Sequence, residues 1–168
     1  MKKCICIGMI MLLLTGCGTA ATFETLGDEY LPADPAAHRS VTLELPEEAA
    51  AMASSSQLGQ MYLCDGYDLL IQTMPSGNID GTIRAVSGFD REDLTVIRVK
   101  NGDAERYEFV WTAAGENGDQ VGRAVVLDDG YYHYVLTAMA AAEKAGSLHN
   151  QWDGIFRSFS LEDQTPES

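Results

Sequence analysis

Basic residues are scarce in this sequence. Lysine and arginine number 11 among 168 residues, against 25 aspartates and glutamates, for a formal charge of −14. Nucleic acid and anionic lipid would both repel such a chain, so no nucleic-acid partner is expected. Cysteine is scarce too, at four. Three of them, Cys4, Cys6 and Cys17, fall near the N-terminus, and Cys64 stands alone beyond them. The main body therefore cannot hold an internal disulfide. The N-terminal apolar run, Ile5 to Leu14, is about half of the ~20 residues that a spanning helix needs. The Gly-x-Ser-x-Gly elbow of serine hydrolases is absent, as are a phosphate loop and a dinucleotide fingerprint. No reaction class is marked by a motif, and neither catalysis nor a cofactor is expected.

What is present begins with an address. Met1-Lys2-Lys3 is a charged start, Ile5 to Leu14 is apolar, and Leu14-Thr15-Gly16-Cys17 closes the segment with small residues and a cysteine. These are the parts of a secretion signal in their usual order. The ending resembles the lipobox of bacterial lipoproteins. The resemblance implies that the Cys17 thiol receives a diacylglyceryl group and that cleavage makes Cys17 the new N-terminus. The chain would then be held by lipid at the extracytoplasmic face of a cell membrane. Gly18 rather than aspartate follows the cysteine, so nothing marks inner-membrane retention, and the reading leans to a Gram-positive envelope. Cleavage would leave nine basic residues against 25 acidic ones, a balance of −16.

Residues 17–40 hold Gly18, Gly27, Pro32 and Pro35 with no apolar period, as in a flexible tether after the lipidated cysteine. Residues 41–161 read as one α+β domain, and 162–168 as a frayed polar tail. Val41 to Leu45 alternates like a strand, and Pro46-Glu47-Glu48 predicts a short helix through Ala53. Gly59–Cys64 and Tyr67–Met74 flank Asp65-Gly66, a strong hairpin signal. Ile79, Ile83 and Val86 share one helical face, with Asn78 to cap the start and Gly88 the end. A four-stranded meander follows, over residues 94–100, 104–113, 121–127 and 131–140. Tyr107, Phe109 and Trp111 point one way from the second of these strands, and Arg106 and Glu108 the other. The fourth strand is apolar on both faces, with Val135 and Met139 opposite Tyr134 and Leu136, so it belongs at the centre of a sheet covered on both sides. The spacing of Leu148, Trp152, Ile155, Phe156 and Phe159 predicts a final helix capped by Ser147.

The order hairpin, helix, meander, helix ends in Trp152-Asp153-Gly154-Ile155-Phe156-Arg157-Ser158-Phe159. This is similar to the PsbP-like α/β/α sandwich, where an amphipathic helix closes on an apolar residue, a gap and Ser-Phe; Ile155, Phe156, Ser158 and Phe159 match that ending. The resemblance implies an antiparallel sheet of about six or seven strands with helices packed on it. It also implies a binding or assembly role.

His38, His133 and His149 share no metal-ligand spacing, and each reads as a surface or partly buried side chain. Asp128-Asp129 reads as a hairpin turn, and Cys64 as a buried, inert thiol. Tyr131-Tyr132-His133-Tyr134, with Trp111, is the most suggestive cluster: one set builds core, and the other is the candidate binding surface. The expected function is a lipid-anchored, non-catalytic envelope module with an envelope protein as partner. A hydrolase acting on glycan or peptide, and a carrier of a small apolar ligand, stay open as alternatives.

Overall fold

A computed structural model describes residues 38–52, 59–115 and 118–162. Cys17, the tether to residue 37 and the tail from residue 163 lie outside these. Seven strands form one antiparallel sheet: β2 (Ala50–Ala51), β3 (Gly59–Cys64), β4 (Tyr67–Pro75), β5 (Ile97–Asn101), β6 (Ala104–Gly115), β7 (Gly118–Asp128) and β8 (Tyr132–Ala141). Their spatial order is β2-β3-β4-β8-β7-β6-β5. A two-stranded ribbon joins β1 (Val41–Thr42) to β9 (Ser160–Leu161). Among the described residues there are two α-helices, α1 (Ile79–Ser87) and α2 (Ala142–Ser158), and one turn of 3-10 helix at Arg91–Asp93.

Local chemistry explains most of this order. Gly66 takes φ +85° at the β3–β4 turn, a conformation that favours glycine. Asn78 accepts the Asp80 N–H at 3.0 Å to start α1, and Gly88, with φ +80°, ends it. Gly122 lies under the Trp111 ring, where an added Cβ would stand 2.3 Å from ring carbons. A strand glycine here lets an aromatic side chain lie flat on the backbone.

The sheet carries a core on each face. On one side Tyr134, Leu136, Val125 and Leu69 pack beneath Leu148, Trp152, Ile155 and Phe156 of α2, with Phe159 just beyond. On the other, Tyr107, Phe109, Trp111, Val126 and Val135 pack beneath Ile83 of α1. β8 is the fourth of the seven strands and is buried along nearly its whole length. Its two-sided apolar pattern is therefore that of a central strand, as expected.

Three expectations need correction. No helix forms after Pro46. Ala49 N–H bonds back to Pro46 at 3.0 Å in a turn, and Ala50–Ala51 then pairs with Tyr62 and Leu63. Sheet pairing outweighs the helical propensity of the alanines. Secondly, α2 starts at Ala142, directly from β8, and the Ser147 hydroxyl bonds to the Lys144 carbonyl inside the helix rather than capping it. Thirdly, the strand expected from Val41 to Leu45 pairs only at Val41 and Thr42, although Leu43 still packs on the core.

Candidate functional site

The aromatic cluster sits at the turn entering β8. Asp128 Oδ1 accepts the Gly130 N–H at 2.8 Å. Asp129 Oδ1 accepts the N–H groups of Tyr131 and Tyr132 at 2.9 and 2.8 Å. The Tyr134 hydroxyl donates to Asp129 Oδ2 at 3.0 Å and accepts the Arg39 N–H at 2.8 Å. Burial, then the Asp129 carboxylate, push the Tyr134 phenol well above its ordinary pKa. Tyr132 tilts against Tyr134, and the His38 ring meets Tyr132 edge-on at 6.1 Å. His38 and Arg39, expected in the tether, thus pack on the domain.

These residues do not make one surface. Tyr132 and Tyr134 are buried in the core beneath α2, and Trp111 in the core beneath α1. His133 is fully buried rather than at the surface or partly buried. Tyr131 alone of the five is exposed, at 80 %. The candidate surface is therefore corrected to a structural turn with one projecting tyrosine. The physical reason is the central place of β8, which leaves neither of its faces to solvent.

His133 links the sheet to α1. Its Nδ1 lies 2.7 Å from the Thr82 hydroxyl, and its Nε2 lies 3.5 Å from Asp128 Oδ2. An Nε2–H facing the carboxylate, with Nδ1 accepting from Thr82, satisfies both ring nitrogens. Desolvation holds its pKa below the ordinary value, only partly offset by Asp128. This is a neutral, enclosed histidine. Among the described residues no cluster of three His, Cys, Asp or Glu side chains is placed to hold a metal ion.

The more open chemistry lies where α2 stops covering the sheet. α2 rests chiefly on β7 and β8, and on the β5 side of the sheet apolar residues on that face stand open. There Ile97, Val99 and Val110 are 58, 52 and 54 % exposed. Beside them a dent of about 440 Å³ is lined by Lys100, Arg106, Glu108, Arg123, Asp153 and Arg157. Arg106 donates to Glu108 at 2.7 Å and to the Phe156 and Phe159 carbonyls at 2.7 and 3.0 Å. It thereby satisfies carbonyls at the end of α2 that the helix leaves unpaired. Arg123 stacks over the Phe156 ring at 4.6 Å and pairs with Asp153, whose carboxyl it holds below the usual range. Lys100 and Arg157 are exposed at the rim.

A second dent of about 400 Å³ shares Glu108, Arg123 and Asp153 with the first and continues over Ile97, Val110, Val121 and Trp152. The two make one open groove, apolar at one end and cationic at the other. The alternation of β6 puts Arg106 and Glu108 together on this face, but sequence reasoning missed the groove as a site. One signal could have found it: five of the nine cations beyond Cys17 fall between Arg91 and Arg123. A third depression, about 480 Å³, lies at the far end of the sheet and includes Met61, Cys64, Tyr67, Thr137 and Met139. Cys64 is half-buried there, and burial pushes its thiol up.

No family model matches this sequence, and no curated protein does. Solved structures do. Cyanobacterial PsbP (CyanoP) from Synechocystis matches with a TM-score of 0.54 at 10 % identity, over 79 % of this chain and 98 % of that one. A Bacteroides thetaiotaomicron protein matches with a TM-score of 0.51 at 6 % identity, over 74 % of this chain but 46 % of that one, so this chain spans about half its length. LpqN of Mycobacterium tuberculosis, described as involved in cell envelope biogenesis, has a TM-score of 0.49 at 14 % identity, over 78 % of this chain and 87 % of that one. At such identities the likeness speaks for the fold: an antiparallel seven-stranded sheet with helices packed on it, of the PsbP-like kind.

Proposed function

We propose that this chain is a lipid-anchored, extracytoplasmic module of a bacterial envelope that binds or assembles with another envelope component and carries out no reaction of its own. The address rests on the Leu14-Thr15-Gly16-Cys17 pattern, with diacylglyceryl on Cys17 as the membrane link. No described helix is long and apolar enough to cross a membrane, which leaves anchoring to that cysteine in this reading. The observation that carries the binding role is the open apolar face on the β5 side of the sheet. Ile97, Val99 and Val110 stand exposed on one face there, beside the paired charges of Arg106 and Glu108. Exposed apolar residues gathered on one face and rimmed by polar groups mark an interaction site more often than a defect. Glu108 and Asp153, the acids lining this groove, are each engaged by arginine, which suits a structural clamp better than a hydrolase pair.

Two measurements test this reading. Intact mass of the membrane-extracted chain should show a diacylglyceryl group on Cys17, and Cys17→Ser should release the protein or leave it unprocessed. Unchanged membrane association in that mutant contradicts the anchor. Affinity capture from solubilised membranes should recover a specific envelope protein with the full chain and lose it with Val99→Asp. Capture of nothing specific contradicts the binding role.

A further inference from the structure

The outer edge of β5 closes the sheet on the open side, and among the described residues no strand pairs with it. In an antiparallel pair, alternate residues of the edge strand turn their N–H and C=O groups outward, where they remain a template for another strand. Apolar residues Ile97 and Val99 alternate along it with basic residues Arg98 and Lys100. The open groove lies inboard of this edge, over the face that carries Ile97 and Val99. Arg98 and Lys100 belong to the opposite face, beside Tyr107 and Glu105, where Arg98 pairs with Glu105 and Lys100 stands exposed. Two cations against one acid leave a local basic surplus at the edge, in a chain whose formal charge is −14.

We infer that β5 accepts an extended acidic segment of a partner protein as an eighth strand of the sheet, its acids facing Arg98 and Lys100 and its apolar side chains covering Ile97 and Val99. The inference rests on the binding role proposed above and names the partner's chemistry. Main-chain bonds to the free edge provide affinity in such strand addition, and the alternating side chains provide selection. A second copy of this chain is the obvious competitor. Two β5 strands laid antiparallel would set the same basic residues against each other, and like charges facing across a ladder destabilise it. The charge pattern therefore discourages self-pairing and favours an acidic strand.

The test uses the full chain in mild detergent and a blocked seven-residue peptide alternating glutamate with valine. Binding is read by fluorescence anisotropy and by amide chemical shifts. The expected result is saturable one-to-one binding with shifts centred on Ile97–Asn101. Arg98→Glu combined with Lys100→Glu should weaken it at least tenfold while leaving the thermal midpoint close to that of the parent, since both residues are exposed. A peptide with N-methyl groups on its ladder-facing amides should bind at least tenfold more weakly, which separates strand pairing from mere charge attraction. Equal binding of a lysine–valine peptide, no effect of charge reversal, or shifts confined to another face would each overturn the inference. So would a dimer of the chain paired through β5. If the peptide fails while affinity capture still recovers a specific envelope partner, the binding role stands and the strand-addition inference falls.

Discussion

β8 and β5 show what position does to similar sequence. Both carry β-branched residues on alternating sites. In β8 every residue from Tyr132 to Ala138 is buried, with α2 above one face and α1 above the other. In β5 the valine and isoleucine stand more than half exposed. The difference lies in the cover, since α2 rests chiefly on β7 and β8 and leaves these β5 residues open. At the boundary the protein uses charge where the centre uses packing. Arg106 and Arg123, each largely buried, tie the sheet to α2 through Glu108, Asp153 and two backbone carbonyls. The same clamp that holds α2 leaves the wing beyond it open.

The largest loss is expected from the centre. Phe156 is fully buried and supports both the sheet core and the Arg123 stack. Phe156→Ala should cost about 3–5 kcal/mol in urea unfolding. Gly122→Ala should cost about 1–3 kcal/mol, because its Cβ meets the Trp111 ring and the Met139 sulfur at 2.3 and 2.8 Å. A matched pair sharpens the contrast between the strands. Val135→Thr buries a hydroxyl in a filled core and should cost about 1–3 kcal/mol. Val99→Thr on the open wing should stay within about 0.5 kcal/mol. Equal costs for the two would remove the distinction between covered centre and open wing.

The smallest effect expected is one of pH. His133 has a depressed pKa in the folded chain, against an ordinary value of 6.5. The unfolded chain therefore takes up its proton first. The stabilisation is fully present above about pH 6.5 and is lost as pH falls from there through the lower folded value. The urea midpoint should drop between about pH 7.5 and pH 5.5, and His133→Gln should flatten that drop. An unchanged slope in the variant would contradict a neutral, enclosed imidazole.

Features set by near neighbours along the chain are legible in the sequence itself. Asp65-Gly66 announces its hairpin, Asn78 and Gly88 bracket α1, and the two-sided pattern of β8 places it at the centre of the sheet. Features set by distant partners are not. Ala50–Ala51 become a strand because β3 lies beside them, and nothing within residues 46–53 signals this. The burial of His133 depends on Thr82 arriving from α1, 51 residues earlier. The open wing depends on where α2 ends its coverage, while the residues of β5 and β6 read like those of any half-buried strand. The aromatic run at Tyr131 to Tyr134 stands out by its composition, but its position assigns most of it to the core.

The most direct test of the open wing places a photo-crosslinking residue at position 99 on that wing, at position 131 on the exposed turn and at position 63 on the opposite face, each in the membrane-held chain. A discrete crosslinked partner is expected from position 99 and none from 131 or 63. A product from 131 or 63 with nothing from 99 would contradict the open wing as the contact face.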